Sequence, residues 1–461
     1  MTMKKRYNIA IVGGGSTWTP GLLKSLCKMS DRFPLNKVTM LDVVEERQRL
    51  IGEFGKILFK EEYPKATLEY TTNPDEAFID VDFVFVQMRT GGLKMRELDE
   101  KIPLQFGLVG QETCGAGGFA YGLRSIGDMI EMVKTVRKYS PKAWILNYTN
   151  PAAIVAEALK RVFPDDKRLL NMCDQPVNLL RSYGRLLDMD SRTFEPVYFG
   201  LNHFGWFTHL YDKNGEDLVP KIKDLVANSG FQPVDAEQRD KSWLDTYGMV
   251  KDMLEDVPDY LPNTYVQYYL YPDKKVAKSN INCTRAREVM NGREKRVFEE
   301  CKSVIEKGTS IGSNLVHNDA HGEFIVEVAE AIAHNKHQIA IVITENNGAI
   351  NNLPDDAMVE VAAILTKNGP RPLHVGNIPT FYKGLLEGQL AYEKLAVDAY
   401  FEQSYEKAIL SLTLNRTIIS PTKARQVLDA LIKVNKDYWP TLYKAVSYTH
   451  LRAHETGRNL V

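Results

Sequence analysis

Three consecutive glycines, Gly13, Gly14 and Gly15, directly follow an apolar run at residues 7–12 and precede a stretch with helical spacing at residues 20–29. Glycines between a first strand and a first helix allow a tight turn, and backbone N–H groups at the helix start can bind a pyrophosphate. Further apolar runs at residues 37–41, 83–87 and 144–147 alternate with amphipathic stretches at 45–62, 126–138 and 152–162. This alternation predicts an α/β fold with a Rossmann-like, doubly wound parallel sheet.

A chain of 461 residues is too long for one compact core, so two domains are expected. Beyond about residue 200, helical stretches at 285–307, 322–334 and 422–435 dominate, with a strand-like segment at 338–344. We predict a first domain at residues 1–200 and a second, mixed α+β domain at residues 201–445. Residues 446–461 lack apolar periodicity and are predicted to be a non-native or disordered tail.

The charge balance excludes several classes of partner. The 58 basic and 59 acidic side chains give a net charge of −1, which provides no general attraction to nucleic acid or to an anionic membrane. No segment approaches the ~18–20 apolar residues of a membrane span. Five scattered cysteines, an odd number, do not indicate a disulfide framework, so a cytoplasmic location is expected.

The glycine segment matches the dinucleotide fingerprint G-x-G-x-x-G incompletely, because Trp18 occupies the position of the third glycine. Asp42 ends the second predicted strand, where a carboxylate can accept hydrogen bonds from a ribose 2′-hydroxyl and would repel a 2′-phosphate. A glycine-rich turn beside an unrelated surface aspartate is the alternative. We predict an NAD site formed by Gly13, Gly14, Gly15, Ser16, Thr17 and Asp42.

A series of short motifs occurs in a specific order along the chain. They are Gly-Gly-Gly-Ser-Thr at 13–17, Gly-Gln-Glu-Thr-Cys-Gly at 110–115, Asn-Tyr-Thr-Asn-Pro at 147–151, Cys-Asp-Gln-Pro at 173–176, Gly-Leu-Asn-His-Phe-Gly-Trp at 200–206, Leu-Pro-Asn-Thr-Tyr at 261–265 and Glu-Asn-Asn-Gly at 345–348. Together they resemble glycoside hydrolase family 4 over about residues 7–445, and most closely its 6-phospho-α-glucosidase (maltose-6′-phosphate glucosidase) branch.

The resemblance implies an activity and its cofactors. It implies hydrolysis of 6-phospho-α-D-glucosides such as maltose 6′-phosphate. It also implies NAD and Mn²⁺, or another divalent metal, in an oxidation–elimination–addition–reduction mechanism without net redox change. By the same resemblance, residues 1–200 form the NAD-binding domain. Residues 201–445 form a substrate and metal domain that is like the C-terminal half of lactate and malate dehydrogenases.

By this resemblance, Cys173 and His203 match the metal ligands of the family. A thiolate and a neutral imidazole can hold a divalent ion and leave positions open for substrate oxygens. Taken singly, a buried apolar thiol and a core histidine are the ordinary alternatives.

Three further residues match catalytic positions of the family. Tyr265 matches the base that removes the C2 proton of the sugar, and Glu112 matches the residue that tunes this tyrosine. A free tyrosine has a pKa near ~10, so the role requires nearby positive charge or a hydrogen-bond partner. Asp174 matches the acid that protonates the leaving oxygen. It favours the α-anomer, since β-acting members show Cys-Asn-x-Pro here, and Gln175 departs from the methionine usual in the α-branch.

The remaining predicted site residues bind substrate: Arg96, Asn150, Asn202 and Arg285. Arginine suits the 6-phosphate because its planar fork donates two parallel hydrogen bonds. A solvated helix face is the alternative for Arg285. Members of the family are commonly dimers or tetramers, so a homodimer or homotetramer is expected.

Four other functions compete with this prediction. A 6-phospho-β-glucosidase of the same family is the first. An NAD-dependent 2-hydroxy-acid dehydrogenase would use the same nucleotide half, but it does not explain a Cys–His metal pair beside Asp174. A nucleotide-binding sensor without catalysis would need neither Tyr265 nor the metal pair. An α-galactosidase or α-glucuronidase, acting on unphosphorylated sugars, is the fourth.

Overall fold

The computed structural model describes residues 5–234, 236–315 and 320–444. Within this part of the chain the main sheet has nine strands. They are β1 (Tyr7–Val12), β2 (Leu35–Leu41), β3 (Thr67–Thr71), β4 (Phe83–Val86), β5 (Trp144–Asn147), β6 (Leu169–Asn171), β10 (Ile339–Glu345), β11 (Met358–Thr366) and β12 (Gly369–Pro372). A second sheet consists of β7 (Glu195–Leu201), β8 (Phe204–Tyr211) and β9 (Leu261–Pro262), paired in that order.

Helices lie between and after these strands. They are α1 (Thr19–Lys28), α2 (Glu45–Glu62), α3 (Pro74–Ala77), α4 (Gly92–Gln105), α5 (Gly115–Tyr139), α6 (Ala152–Val162), α7 (Gln175–Leu187), α8 (Val219–Ser229), α9 (Lys241–Asp256), α10 (Gln267–Leu270), α11 (Pro272–Lys278), α12 (Arg285–Val289), α13 (Lys295–Lys307), α14 (Ala320–Ala333), α15 (Thr380–Phe401), α16 (Tyr405–Leu414) and α17 (Pro421–Asn435). A π-helical turn at Met290–Glu294 joins α12 to α13.

The first six strands confirm the predicted doubly wound parallel sheet. They run parallel in the spatial order β3-β2-β1-β4-β5-β6. The chain therefore changes its winding direction between β1 and β4. In open sheets of this type, ligands bind at such a switch point, beyond the carboxyl ends of the strands. The glycine turn after β1 lies at this point.

Strands from the later half of the chain extend the same sheet. β10 pairs antiparallel with β6, β11 with β10, and β12 with β11. The sheet thus contains segments from both sides of residue 200, while the division into domains at residues 1–200 and 201–445 stays a prediction. The tail predicted at 446–461 lies outside the described residues.

Helices cover both faces of the main sheet, which is the reason for its apolar strands. One face packs against α1, α2 and α14, with Leu23, Phe54 and Ile325 buried. The other packs against α5, α6, α15 and α17, with Phe119 and Leu428 buried. Among the helices described, none has both the length and the apolar character needed to cross a membrane.

A buried ion pair joins α4, α5 and α17 behind the sheet. The Arg124 Nη1 atom donates to Asp99 Oδ1 at 2.9 Å and to Asn435 Oδ1 at 2.7 Å, and its Nη2 atom also pairs with Asp99. Burial raises the pKa of Asp99 to about 6, despite the opposing effect of Arg124. Removing the guanidinium would leave a buried carboxylate without compensation.

We therefore expect Arg124→Met to lower the free energy of unfolding by about 3–5 kcal/mol, measured by urea denaturation. Arg192→Met is the matched control, because Arg192 pairs with Asp190 at the exposed surface. That change should cost no more than about 1 kcal/mol. Equal losses in the two variants would contradict the assignment of a stabilising role to the Asp99–Arg124 pair.

Candidate active site

The glycine turn after β1 leaves no room for side chains. Gly13 has a φ of 81°, and a Cβ atom there would lie 2.8 Å from the carbonyl oxygen of Gln87. A Cβ atom on Gly14 would lie 2.6 Å from the Oε1 atom of Gln48. The main chain therefore forms the floor of the switch point, where a dinucleotide backbone can approach it closely.

Asp42 lies beside this turn, at the end of β2. Its Oδ2 atom accepts a hydrogen bond from the backbone N–H of Gly15 at 2.9 Å, and its Oδ1 atom accepts one from Val44 at 3.0 Å. Ser16 and Thr17 complete the turn and are half-buried. A carboxylate held at the second strand, next to a glycine turn, fits the ribose of NAD. The roles of these residues in binding NAD remain a proposal.

Asp42→Ala should weaken NAD binding about 10–100-fold, since the change removes charge-assisted hydrogen bonds. It should also reduce the preference for NAD over NADP, because the charge that repels a 2′-phosphate is lost. Titration of both nucleotides by calorimetry measures this. Glu46→Ala, at an exposed position in the first turn of α2, should change neither affinity. An unchanged preference in Asp42→Ala would contradict the assignment.

A cavity of about 460 Å³ opens beyond the carboxyl ends of β4, β5 and β6. The structure brings most of the residues predicted for metal binding, catalysis and substrate binding to its wall. These are Arg96, Glu112, Asn150, Cys173, Asp174, His203, Tyr265 and Arg285. Asn202 lies behind the wall, where its Nδ2 atom donates to Oε1 of the buried Glu360 at 2.9 Å.

The two predicted metal ligands are neighbours in space. The Sγ atom of Cys173 lies 3.4 Å from the Nε2 atom of His203, and both residues are buried. Cys173 follows β6, whereas His203 lies in the tight turn between β7 and β8 with a left-handed φ of 64°. Histidine is among the residues that adopt this conformation more readily than most.

The chemistry of this pair fits a catalytic divalent metal. Burial lowers the pKa of His203 to about 4, so the ring is neutral and can donate a lone pair. Burial also raises the pKa of Cys173 well above its ordinary value, and a bound cation would favour the thiolate. No cluster of three or more His, Cys, Asp or Glu ligands occurs among the described residues. Two protein ligands leave positions open for substrate oxygens and water.

Tyr265 contacts one of the two predicted metal ligands, His203. Its ring stacks on that of His203, with centroids 4.1 Å apart and planes inclined by 14°. Burial raises the pKa of Tyr265 well above 10. The hydroxyl therefore keeps its proton in this environment, and a cation held by Cys173 and His203 would be the nearby positive charge that favours the phenolate.

Glu112 reaches the cavity as an ion-paired carboxylate. It pairs with Arg89, and its Oε1 atom lies 3.1 Å from Nη1 of Arg96. Burial opposes ionisation, but the two guanidinium groups outweigh it and lower the pKa of Glu112. Its negative charge contributes to the raised pKa of Tyr265. Sequence reasoning missed Arg89, although its position just after β4 was a usable signal.

Asp174 is followed directly by α7, which begins at Gln175 with Pro176 in its first turn. The Gln175 Nε2 atom donates to Oγ1 of Thr264 at 2.6 Å, so the residue that replaces the usual methionine connects this loop to the turn that carries Tyr265. Burial would raise the pKa of Asp174, but contact with His321 outweighs it and lowers the pKa. His321 was not predicted from the sequence.

Besides Arg89, four arginines line the same cavity: Arg96, Arg239, Arg285 and Arg293. The Arg285 Nη1 atom donates to Ser242 Oγ at 2.7 Å and lies 2.9 Å from Asp240 Oδ2. Burial and the charges of Arg96, Arg285 and Arg239 lower the pKa of Arg293 to about 9. Such crowded guanidinium groups favour an anion between them. The positions of Arg239 and Arg293 at the cavity were not predicted from the sequence.

Asn150 provides an acceptor on the wall of the cavity. Its Oδ1 atom is buried and has no hydrogen-bond partner among the residues that the structure describes. Buried polar atoms are normally hydrogen-bonded. The free acceptor therefore fits a hydroxyl group of the substrate.

Two family models match this chain, the family 4 glycosyl hydrolase model at residues 8–189 and the family 4 glycosyl hydrolase C-terminal domain at residues 198–418. The chain belongs to glycoside hydrolase family 4. A phospho-α-glucosidase of Clostridium acetobutylicum is 51% identical to it, over 95% of this chain and 100% of the relative. A 6-phospho-β-glucosidase of Thermotoga maritima is 32% identical, over 93% of this chain and 99% of the relative.

A solved structure is also similar over nearly the whole chain. It is a 6-phospho-α-glucosidase from gut microorganisms in complex with NAD and Mn²⁺, with 59% identity and a TM-score of 0.94, covering 95% of this chain and 100% of that one. Family membership confirms the resemblance seen in the ordered motifs. It is inconsistent with the 2-hydroxy-acid dehydrogenase alternative.

Proposed function

We propose that this chain is a 6-phospho-α-glucosidase that requires NAD and a divalent metal and hydrolyses 6-phospho-α-D-glucosides such as maltose 6′-phosphate. The observation that carries the proposal is Asp174 beside the Cys173–His203 pair, in a chain 51% identical to a phospho-α-glucosidase. The lower identity of 32% to a 6-phospho-β-glucosidase supports the α-anomer.

The metal-binding and catalytic residues predicted from the sequence have distinct roles in this proposal. Cys173 and His203 would hold the metal. When bound, NAD⁺ supplies a hydride acceptor for the sugar C3 position, and the metal supplies a Lewis acid that makes the C2 proton more acidic. Tyr265 removes that proton, and Asp174 protonates the leaving oxygen.

The positive charges and the free amide acceptor position the substrate. Arg96 and Arg285 bind the 6-phosphate, in a region where Arg239 and Arg293 add positive charge. Asn150 accepts a hydrogen bond from a sugar hydroxyl through its unpartnered Oδ1 atom. Glu112, which is paired with Arg89 and Arg96, sets the charge balance around Tyr265.

Paired assays test the proposal. Purified protein is incubated with p-nitrophenyl α- and β-D-glucoside 6-phosphates in the presence of NAD⁺, Mn²⁺ and a reductant, and each component is then omitted in turn. We expect hydrolysis of the α-substrate that disappears without NAD⁺ or metal. Cleavage of the β-substrate alone would overturn the anomer, and cleavage only of unphosphorylated glycosides would overturn the substrate class.

The assembly and location of the enzyme stay predictions from the sequence. We propose a homodimer or homotetramer that works in the cytoplasm, where the five free thiols of this chain would remain reduced.

A further inference from the structure

His321, near the start of α14, makes contacts that no motif in the sequence indicated. Its Nδ1 atom lies 3.1 Å from Oδ2 of Asp174, and its Nε2 atom lies 3.3 Å from Oε1 of Gln87. The ring is only 9% exposed and stacks between Trp18 and Tyr148, at centroid distances of 5.2 and 4.3 Å. The imidazole is therefore held in one orientation, with one nitrogen facing the predicted acid.

The hydrogen bonds of Gln87 define which ring nitrogen carries a proton. The Gln87 Nε2 atom donates to Thr19 Oγ1 at 2.8 Å and approaches the carbonyl oxygen of Gly13 at 3.4 Å. A carbonyl oxygen can only accept, so the other amide atom of Gln87, Oε1, must accept from the ring. The Nε2 atom of His321 thus carries a hydrogen. With Nε2 fixed in this way, Nδ1 faces Oδ2 of Asp174 at 3.1 Å and holds that carboxyl group in one orientation.

We propose that His321 is a positioning residue for the acid, which holds the Asp174 carboxyl group in the orientation from which it protonates the leaving oxygen. This inference rests on the proposed function. It concerns how the acid is held in place, which the family resemblance leaves open. Gln87 also links His321 to the glycine turn through Gly13, so the acid is oriented from the nucleotide side of the cavity.

Protons and bonds balance in the two halves of the reaction. In the elimination, Tyr265 takes the C2 proton, the C1–O bond breaks, and the aglycone oxygen takes the proton of Asp174, which His321 holds in place. When water adds, its hydroxyl joins C1, its proton returns to Asp174, and C2 recovers a proton from Tyr265. Nothing is oxidised or reduced in these steps.

Comparing kcat for two substrates whose leaving groups differ in basicity distinguishes this role from a purely structural one. A p-nitrophenolate leaves readily without a proton, whereas the glucose of maltose 6′-phosphate leaves as a strongly basic alkoxide unless it is protonated. We expect His321→Ala to lower kcat about 100-fold or more with maltose 6′-phosphate, which is the scale of acid catalysis. With p-nitrophenyl α-glucoside 6-phosphate the loss should stay below about tenfold. His321→Gln keeps an amide near both partners, so it should regain part of the activity on maltose 6′-phosphate that His321→Ala loses.

Exchange of the C2 proton provides the second measurement. His321→Ala incubated with maltose 6′-phosphate in D₂O should still incorporate deuterium at C2 of the recovered substrate, because that proton is removed before the aglycone leaves. His374→Ala is the control, since this exposed histidine is hydrogen-bonded to Asn351 and does not line the cavity. It should leave both activities unchanged.

The outcomes separate the inference from the proposed function. Equal losses on the two substrates, no recovery of activity in His321→Gln relative to His321→Ala, or absence of C2 exchange in His321→Ala would overturn the role of His321 alone. If the wild-type enzyme hydrolyses neither substrate with NAD⁺ and metal present, the proposed function fails and the inference fails with it.

Discussion

Cys173→Ser and His203→Ala should each lower metal-dependent hydrolysis by about 1000-fold or more, because a Lewis acid supplies several kcal/mol of charge stabilisation in the transition state. The two residues face each other at 3.4 Å and are the protein ligands that we propose. NAD binding should persist in both variants, since the glycine turn and Asp42 lie outside the cavity that contains this pair. Initial rates over a range of Mn²⁺ concentrations and calorimetric titration of NAD measure the two properties.

Cys283→Ser is the matched control for the thiol. Cys283 is an exposed cysteine on the wall of the same cavity, and its replacement should leave the dependence on Mn²⁺ unchanged. Full metal-dependent turnover in Cys173→Ser or His203→Ala would show that the metal is held elsewhere. Loss of NAD binding in either variant would indicate that the change has disturbed the fold.

Tyr265→Phe should suppress the exchange of the C2 proton with solvent and lower kcat by about 100–10,000-fold, the range for loss of a general base. The phenyl ring can still stack on His203, at the present centroid distance of 4.1 Å, so the wall of the cavity is kept while the hydroxyl is lost. Deuterium incorporation at C2 of recovered substrate, followed by NMR in D₂O, measures the step directly.

Tyr268→Phe serves as the comparison for this prediction. Its ring lies 5.7 Å from that of Tyr265 and also lines the cavity. We expect normal exchange in that variant. Normal exchange in Tyr265→Phe would assign the proton removal to another group, and suppressed exchange in both variants would point to a general disturbance of the aromatic wall.

Local sequence patterns predicted the parallel sheet well, because strands that are buried on both faces must consist of nearly continuous apolar residues. The runs at residues 83–87 and 144–147 became β4 and β5. The helix predicted at residues 126–138 instead begins at Gly115. The glycines at its start have weak helix propensity, so the pattern did not predict a helix there. In the structure, Gly117 packs so closely on the backbone of Gln111 that no side chain would fit.

The helical stretch predicted at residues 285–307 is correct in extent but not in regularity. It is α12, a π-helical turn at Met290–Glu294 and α13. The π-helical turn contains Arg293, whose guanidinium lies 4.3 Å from the ring centroid of Trp18, on the wall of the cavity. The spacing of apolar residues in the sequence does not reveal one widened helical turn. The position of Arg293 on the cavity wall could therefore not be predicted from it.

The sequence by itself determined the residue types of the site and the ends of the elements on which they lie. The glycine turn follows β1, and Cys173 with Asp174 follows β6, because strand ends and turns are encoded by near neighbours in the chain. Only the tertiary structure decided which distant groups meet these residues. His321 is 147 positions from Asp174 and reaches it because α14 packs on α1. A polar residue at the start of a helix has the same local pattern whether it faces solvent or a catalytic carboxylate, so packing alone made the pair.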